Sequence, residues 1–256
     1  METIVSRTLA VHQEHEFLLK LETAGLTDNL AQRVIDSKGN DLAAKVVRLI
    51  QNGGFEATTL QKRAREIMGR NMFGIEEAIK HFGANPTKQQ AAALADVPFT
   101  EATLEACKDT HVLVAVFPLS ILEIRGKVAQ GQRLFYDQDW FNKESFAKEK
   151  GETDWKLIRK TPIANSTSKT WPEQQALLAQ NEETPTARTM VYAIIGHFLA
   201  TGERLFENVY VRCSDVDSVG YRVYVGYFAA LGLGVDGGWD GYGSGNVGVA
   251  SARKFD

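Results

Sequence analysis

Between Ser214 and Arg253 the chain contains no Lys, Glu, Gln or Met, although all four occur upstream and the first three are plentiful there. In their place stand Gly220, Gly226, Gly232, Gly234, Gly237, Gly238, Gly241, Gly243, Gly245 and Gly248, and among them four of the protein's seven tyrosines, Tyr221, Tyr224, Tyr227 and Tyr242. Tyrosine offers large contact area at low entropic cost, and Gly, Ser and Asp offer adaptable polar backbone, so on a rigid support this is the composition of a recognition surface. Composition alone fits a Gly-rich hairpin tail or a flexible C-terminus equally well.

The residue pattern separates these possibilities. Arg222-Val-Tyr-Val-Gly-Tyr-Phe228 alternates at period two, which predicts a half-buried strand, and Val247–Arg253, small and β-branched, predicts a second. Between them Leu233, Val235 and Trp239 are apolar anchors in a run of small residues. Disordered segments are poor in aromatic and β-branched residues. The segment is therefore expected to fold, with Trp239 as its one bulky anchor; truncating a buried tryptophan costs on the order of 3–5 kcal/mol.

These residues also carry a family resemblance. The run Cys213–Ser218, then Arg222-Val223, Val225-Gly226, Phe228, Gly232-Leu233, Val235, Trp239-Asp240, Val247-Gly248 and Ala252–Phe255 resembles the variable proteins of diversity-generating retroelements. Gly237-Gly238-Trp239, Asn246–Val249 and Arg253 resemble the C-terminal signature of the C-type-lectin fold shared with formylglycine-generating enzymes. The likeness covers 213–255 most fully and weakens upstream of about residue 98. In that family reverse transcription rewrites adenines of a C-terminal cassette, mostly at Asn codons. An Asn codon randomised at its adenines cannot become Lys, Glu, Gln, Met or Trp, which accords with the missing types and makes Trp239 framework. The resemblance implies diversified positions at Val219, Tyr221, Tyr224, Tyr227, Ala229, Leu231, Gly234, Asp236, Gly237, Gly238, Tyr242 and Ser244. Val223, Val225, Phe228, Leu233, Val235, Trp239 and Val249 would then hold the backbone. Among the diversified positions Tyr221, Tyr227 and Tyr242 are the hot-spot candidates, because aromatic anchors carry much of the energy of an interface. Gly234, Gly237 and Gly238 would contribute little more than access.

The whole chain sets wider bounds. At 256 residues, 44% hydrophobic and 24% charged with a net charge of −3, it reads as a globular protein with no basic excess for phosphate backbones, so nucleic acid is not an expected partner. The apolar stretches Val112–Leu122 and Met190–Ala200 are too short to span a bilayer, so no membrane insertion is expected. Met1-Glu2-Thr3 opens no signal sequence, and two cysteines suit a reducing compartment; a cytoplasmic location follows as an expectation.

Capping and periodicity predict helices over His12–Thr23, up to Ile35 after Thr27, Leu42–Gln51, Thr58–Met68, Ile75–His81 and Lys88–Ala95, a helical N-terminal region of residues 1–96. From residue 97 the texture turns mixed. Helices are predicted over Thr100–Cys107 and Asp139–Lys150, and from a Thr184 cap and Pro185 to Thr201. Strands are predicted over His111–Phe117, Trp155–Lys160 and Leu205–Val211, and Pro162–Lys169 as an exposed loop. The expected fold is α+β, a C-type-lectin-like domain over 97–256 with its variable cassette at about 213–256, preceded by the small helical domain.

Other motifs carry less. Gly232-Leu-Gly-Val-Asp-Gly237 spells GxGxxG, but Trp239–Ser244 is a poor helix and fewer than twenty residues follow it, against a dinucleotide site. Asp215-Val-Asp217 resembles the start of a calcium loop, yet its fifth and twelfth positions are Val219 and Gly226, so turn formation is the expected role and calcium the minor alternative. His12 and His15 stand at i, i+3 on a predicted helix and His81, His111 and His197 are scattered, so no metal cluster and no other cofactor is expected. Only Cys213 lies in the cassette, without the cysteine partner of the oxidase chemistry. The expected function is a non-enzymatic, receptor-type protein presenting a hypervariable surface to a macromolecular ligand, most readily a protein. A formylglycine-generating-type oxidase and a structural particle-surface protein are the alternatives.

Overall fold

In the computed structural model the described residues are 9–51, 53–128 and 133–255; Met1-Glu2-Thr3 and Asp256 lie outside them. The chain divides into two compact units, Met1–Gly54 and Phe55–Asp256. The described residues of the first form three α-helices, α1 (Val11–Thr23), α2 (Asp28–Ile35) and α3 (Asp41–Gln51), with a 3-10 turn at Lys38–Asn40. Within the 26–29 stretch expected to offer a cap, Thr27 caps α2, its hydroxyl accepting from the Leu30 N–H. None of the residues in these three helices is buried.

The second unit is α+β. Its elements run α4 (Thr59–Met68), β1 (Met72–Phe73), α5 (Ile75–Phe82), α6 (Lys88–Ala93), α7 (Glu101–Cys107), β2 (His111–Val116), α8 (Ile121–Val128), α9 (Ser145–Lys148), β3 (Asp154–Arg159), α10 (Trp171–Gln175), β4 (Glu182–Glu183) and α11 (Ala187–Thr201). The terminal strands are β5 (Tyr210–Val216), β6 (Arg222–Ala229), β7 (Gly232–Gly238), β8 (Val247–Val249) and β9 (Ala252–Arg253). One sheet has the order β1-β2-β3-β9-β4, the other β7-β6-β5-β8. Strand β2 is buried along its whole length, so its apolar run shows no alternation. Helix α11 is buried from Ala187 through His197, apart from Arg188, and packs on strands of both sheets, which explains why it is apolar all round rather than amphipathic.

Residues 55–96, read from sequence with the N-terminal helices, lie inside this second unit. Ala64, Ile67, Met68, Ile75, Ala78, Phe82 and Leu94 belong to the same core as β2 and α11, and the Trp155 indole N–H reaches the Leu94 carbonyl at 3.0 Å. The segment predicted as one strand over Val247–Arg253 is two: β8 pairs parallel with β5, whereas β9 crosses to the other sheet between β3 and β4. Asp139–Lys150 is not one helix. A 3-10 turn at Trp140–Lys143 and α9 are separated by extended Glu144, and this break lets Phe141 and Phe146 both be buried. The cap of α11 is Thr186 rather than Thr184, because the Pro185 carbonyl accepts the Ser214 N–H instead of starting the helix. The strand predicted over Leu205–Val211 begins only at Tyr210.

His111 lies buried on β2, its Nδ1 2.8 Å from the Thr110 hydroxyl. Burial, and then the charge of Arg159, hold its pKa down to about 4. The folded state thus disfavours the imidazolium, and the unfolded chain binds more protons between about pH 6.5 and pH 4. His111 stabilisation should be complete above the unfolded value and fade as pH falls through that window. Melting temperatures measured across it should drop more steeply for the wild type than for His111→Gln; parallel curves would remove this role.

Candidate recognition surface

Strands β6 and β7 pair antiparallel with Tyr224 opposite Asp236, Val225 opposite Val235 and Gly226 opposite Gly234. Val223, Val225 and Val235 face inward and are fully buried, while Tyr224 and Asp236 share the outer face with Tyr210 and Arg212 of β5. Strict alternation would turn Tyr227 inward with Val225. A bulge prevents this: Gly226 has φ 150°, Tyr227 has φ 50°, and the register shifts before Ala229. Any Cβ at Gly226 would collide with the Val209 carbonyl, so glycine is required there. Past the bulge Phe228 takes the inward place, and Tyr227 emerges with its ring 5.0 Å from that of Tyr210.

The Gly-rich turn after β7 is held by side chains from beneath. Arg212, only 2% exposed, donates to the carbonyls of Lys169 (3.1 Å), Trp239 (3.3 Å) and Tyr242 (2.6 Å) and to Gln174 Oε1 (3.1 Å). Its Nε has no partner among the described residues. Gln174, itself buried, passes its amide N–H groups to the carbonyls of Ser166 and Val247. The Ser168 and Trp171 amides donate to the Ser244 and Asp240 carbonyls. Arg222 makes a two-pronged pair with Asp240 at 3.2 and 3.0 Å and lies 4.2 Å over the Trp171 ring. The 162–169 stretch, predicted as an exposed loop, is thus partly interior: Ser166 is buried and its hydroxyl accepts the Val249 N–H.

Of the twelve positions singled out above, Val219, Tyr221, Tyr227, Leu231, Asp236 and Tyr242 are exposed, and Tyr224, Ala229, Gly237, Gly238 and Ser244 are half-buried. Gly234 is buried. A Cβ there would sit 2.5 Å from the Tyr210 hydroxyl, so it is a close-packing position and not mere access. Leu233, Phe228 and Val249 are buried as expected of framework, but Trp239 is not: it is 66% exposed, its ring lying across Gly241. The anchoring assigned to Trp239 falls instead to its carbonyl, gripped by Arg212.

Tyr227, Ala229, Leu231, Gly234 and Asp236 line one cleft of about 400 Å³ with Tyr136, Gln138 and Tyr210. The Gln138 side-chain amide and the Trp140 indole N–H both donate to the Val235 carbonyl, and the Tyr136 backbone amide donates to that of Leu233, so the 136–140 segment covers the outer edge of β7. Tyr221 and Tyr242 are not among the residues lining this cleft. The chain matches no protein-family model, no curated protein and no solved structure with which it was compared. The site therefore rests on its own geometry.

Burial, followed by the charge of Asp236, raises the phenol pKa of Tyr210 and pushes that of Tyr224 up to about 12. Burial pushes the Cys213 thiol well up. Asp217 accepts the Val219 and Tyr221 amides, the turn role expected of it, whereas Asp215 accepts the Ala187 N–H at the start of α11. Among the described residues no group of three or more metal-ligating side chains converges. Arg212, Gln174, Tyr136 and Gln138 were missed from sequence: polar residues of these kinds are common, and nothing local marks which are interior.

Replacing Arg212 with Met should destabilise by on the order of 3 kcal/mol, since it leaves the buried Gln174 oxygen and three part-buried carbonyls without their donor. Trp239→Ala should stay within about 0.5 kcal/mol, as for an exposed position. Denaturant unfolding of both variants checks this, and a larger loss at Trp239 would refute the assignment of the anchor to Arg212.

Proposed function

We propose that the second unit is a non-enzymatic, C-type-lectin-like binding domain whose terminal cassette presents a hypervariable face, diversified by a retroelement, to a macromolecular ligand, most readily a protein. The observation that carries this reading is the division within the cassette. Val223, Val225, Phe228, Leu233, Val235 and Val249 are buried, while Val219, Tyr221, Tyr227, Leu231, Asp236 and Tyr242 stand exposed, the turn that carries Tyr242 being gripped by Arg212. A surface that changes its side chains must be uncoupled from the core, as loops on a rigid scaffold are.

Two further features support it. Tyr227 occupies a left-handed conformation at φ 50°, which Asn tolerates better than most residues, in keeping with an Asn template codon at that position. Cys213 is fully buried and its thiol held protonated, which disfavours the oxidase alternative because the thiolate is the reactive form. Among the described residues no helix is long and apolar enough to cross a membrane.

Replacing Val219, Tyr221, Tyr227, Ala229, Leu231, Asp236 and Tyr242 together by Ser or Asn should leave a cooperative thermal transition. Sequencing the locus across isolates should find differences concentrated at the twelve positions, beside a near-copy of the cassette and a reverse transcriptase gene. Loss of cooperativity, or substitutions spread equally over Val223, Val225 and Leu233, would sink the proposal.

A further inference from the structure

The cleft beside the outer edge of β7 has a chemical character that the display reading does not specify. Three tyrosines, Tyr136, Tyr210 and Tyr227, contribute to its walls, and Asp236 stands at its side. The Asp236 Oδ1 accepts only the adjacent Gly237 amide, and no Lys, Arg or His among the described residues pairs with this carboxylate. Its charge adds to burial in raising the phenol pKa values of Tyr210 and Tyr224, against the opposing charge of Arg212 at Tyr224. Aromatic faces attract cations, and the attraction grows as the cation is desolvated. The protein already uses one of these rings in this manner: the Arg133 guanidinium lies 5.9 Å over Tyr136, while Arg133 itself lines a neighbouring cleft.

We propose that this cleft binds a lysine or arginine side chain of the protein ligand, seated against Tyr136 and the mutually packed rings of Tyr210 and Tyr227, with Asp236 as counter-ion. The proposal rests on the display reading for the existence of such a ligand. It also divides the site in two. Tyr136 and Tyr210 lie outside the diversified positions and form a constant half, whereas Tyr227 and Asp236 belong to the cassette, so the cation preference is a property of this variant. The buried Gly234 leaves room for the hydroxyl of Tyr210, one of the residues lining the cleft.

Titration of tyrosine-labelled full-length protein, followed by NMR, tests this with N-acetyl-lysine methylamide, its arginine counterpart and the neutral norleucine analogue as probes. The cationic probes should shift the resonances of Tyr136, Tyr210 and Tyr227, and the norleucine analogue should shift them at least about tenfold more weakly. Asp236→Asn keeps the acceptor for the Gly237 amide and should weaken the cationic probes by about tenfold while leaving the melting temperature unchanged. Equal binding of norleucine, or cation binding indifferent to Asp236→Asn, would overturn the cation site. Either result would leave the display reading standing, because locus variation and tolerance of the sevenfold replacement do not depend on which side chains this variant carries.

Discussion

The terminal surface depends on one buried guanidinium. A glycine-rich turn has little side-chain packing to order it, and each fixed backbone residue costs roughly 1–2 kcal/mol of conformational entropy. Arg212 offsets this cost at several points at once, its planar fork gripping two carbonyls of the turn, one carbonyl of the 162–175 stretch and the Gln174 amide oxygen. All four acceptors are neutral, so burial lowers the pKa of the guanidinium without releasing its proton. Because three of the four contacts are to backbone, the support does not depend on which side chains the turn carries.

The second device is the bulge in β6. A regular strand would divide its residues between core and solvent by parity, and Tyr227 would be lost to the interior. Gly226 and the left-handed Tyr227 exchange that parity for one residue, which buries Phe228 and sends the tyrosine out toward Tyr210. Strain at one position is thus coupled directly to the shape of the exposed face.

Much of this was legible in the sequence, because the relevant signals are local. Capping predicted α2, α4, α6 and α7 nearly to the residue, Thr100 for example accepting from the Thr103 amide. Period-two alternation located β6 and the buried Val223 and Val225. What failed was decided by distant partners. Trp239 was judged by its bulk, but a large side chain packs inward only if the backbone turns it there, and here the turn is held by its carbonyls. Val247–Arg253 looked continuous because nothing local records that Ala252 pairs with Ile158 nearly a hundred residues earlier. The short strands β1 and β4 have too few residues to show a period. Tyr136 and Gln138 reach the candidate site only through the edge of β7.

Gly234 has a further meaning. Having no side chain, it makes no contact of its own, yet the Tyr210 hydroxyl occupies the space a methyl group would need. Any larger residue there would displace that ring. Position 234 therefore bears on the depth of the cleft through the Tyr210 ring rather than through a contact of its own. A single codon would thereby reshape the cleft, leaving the scaffold beneath it unchanged.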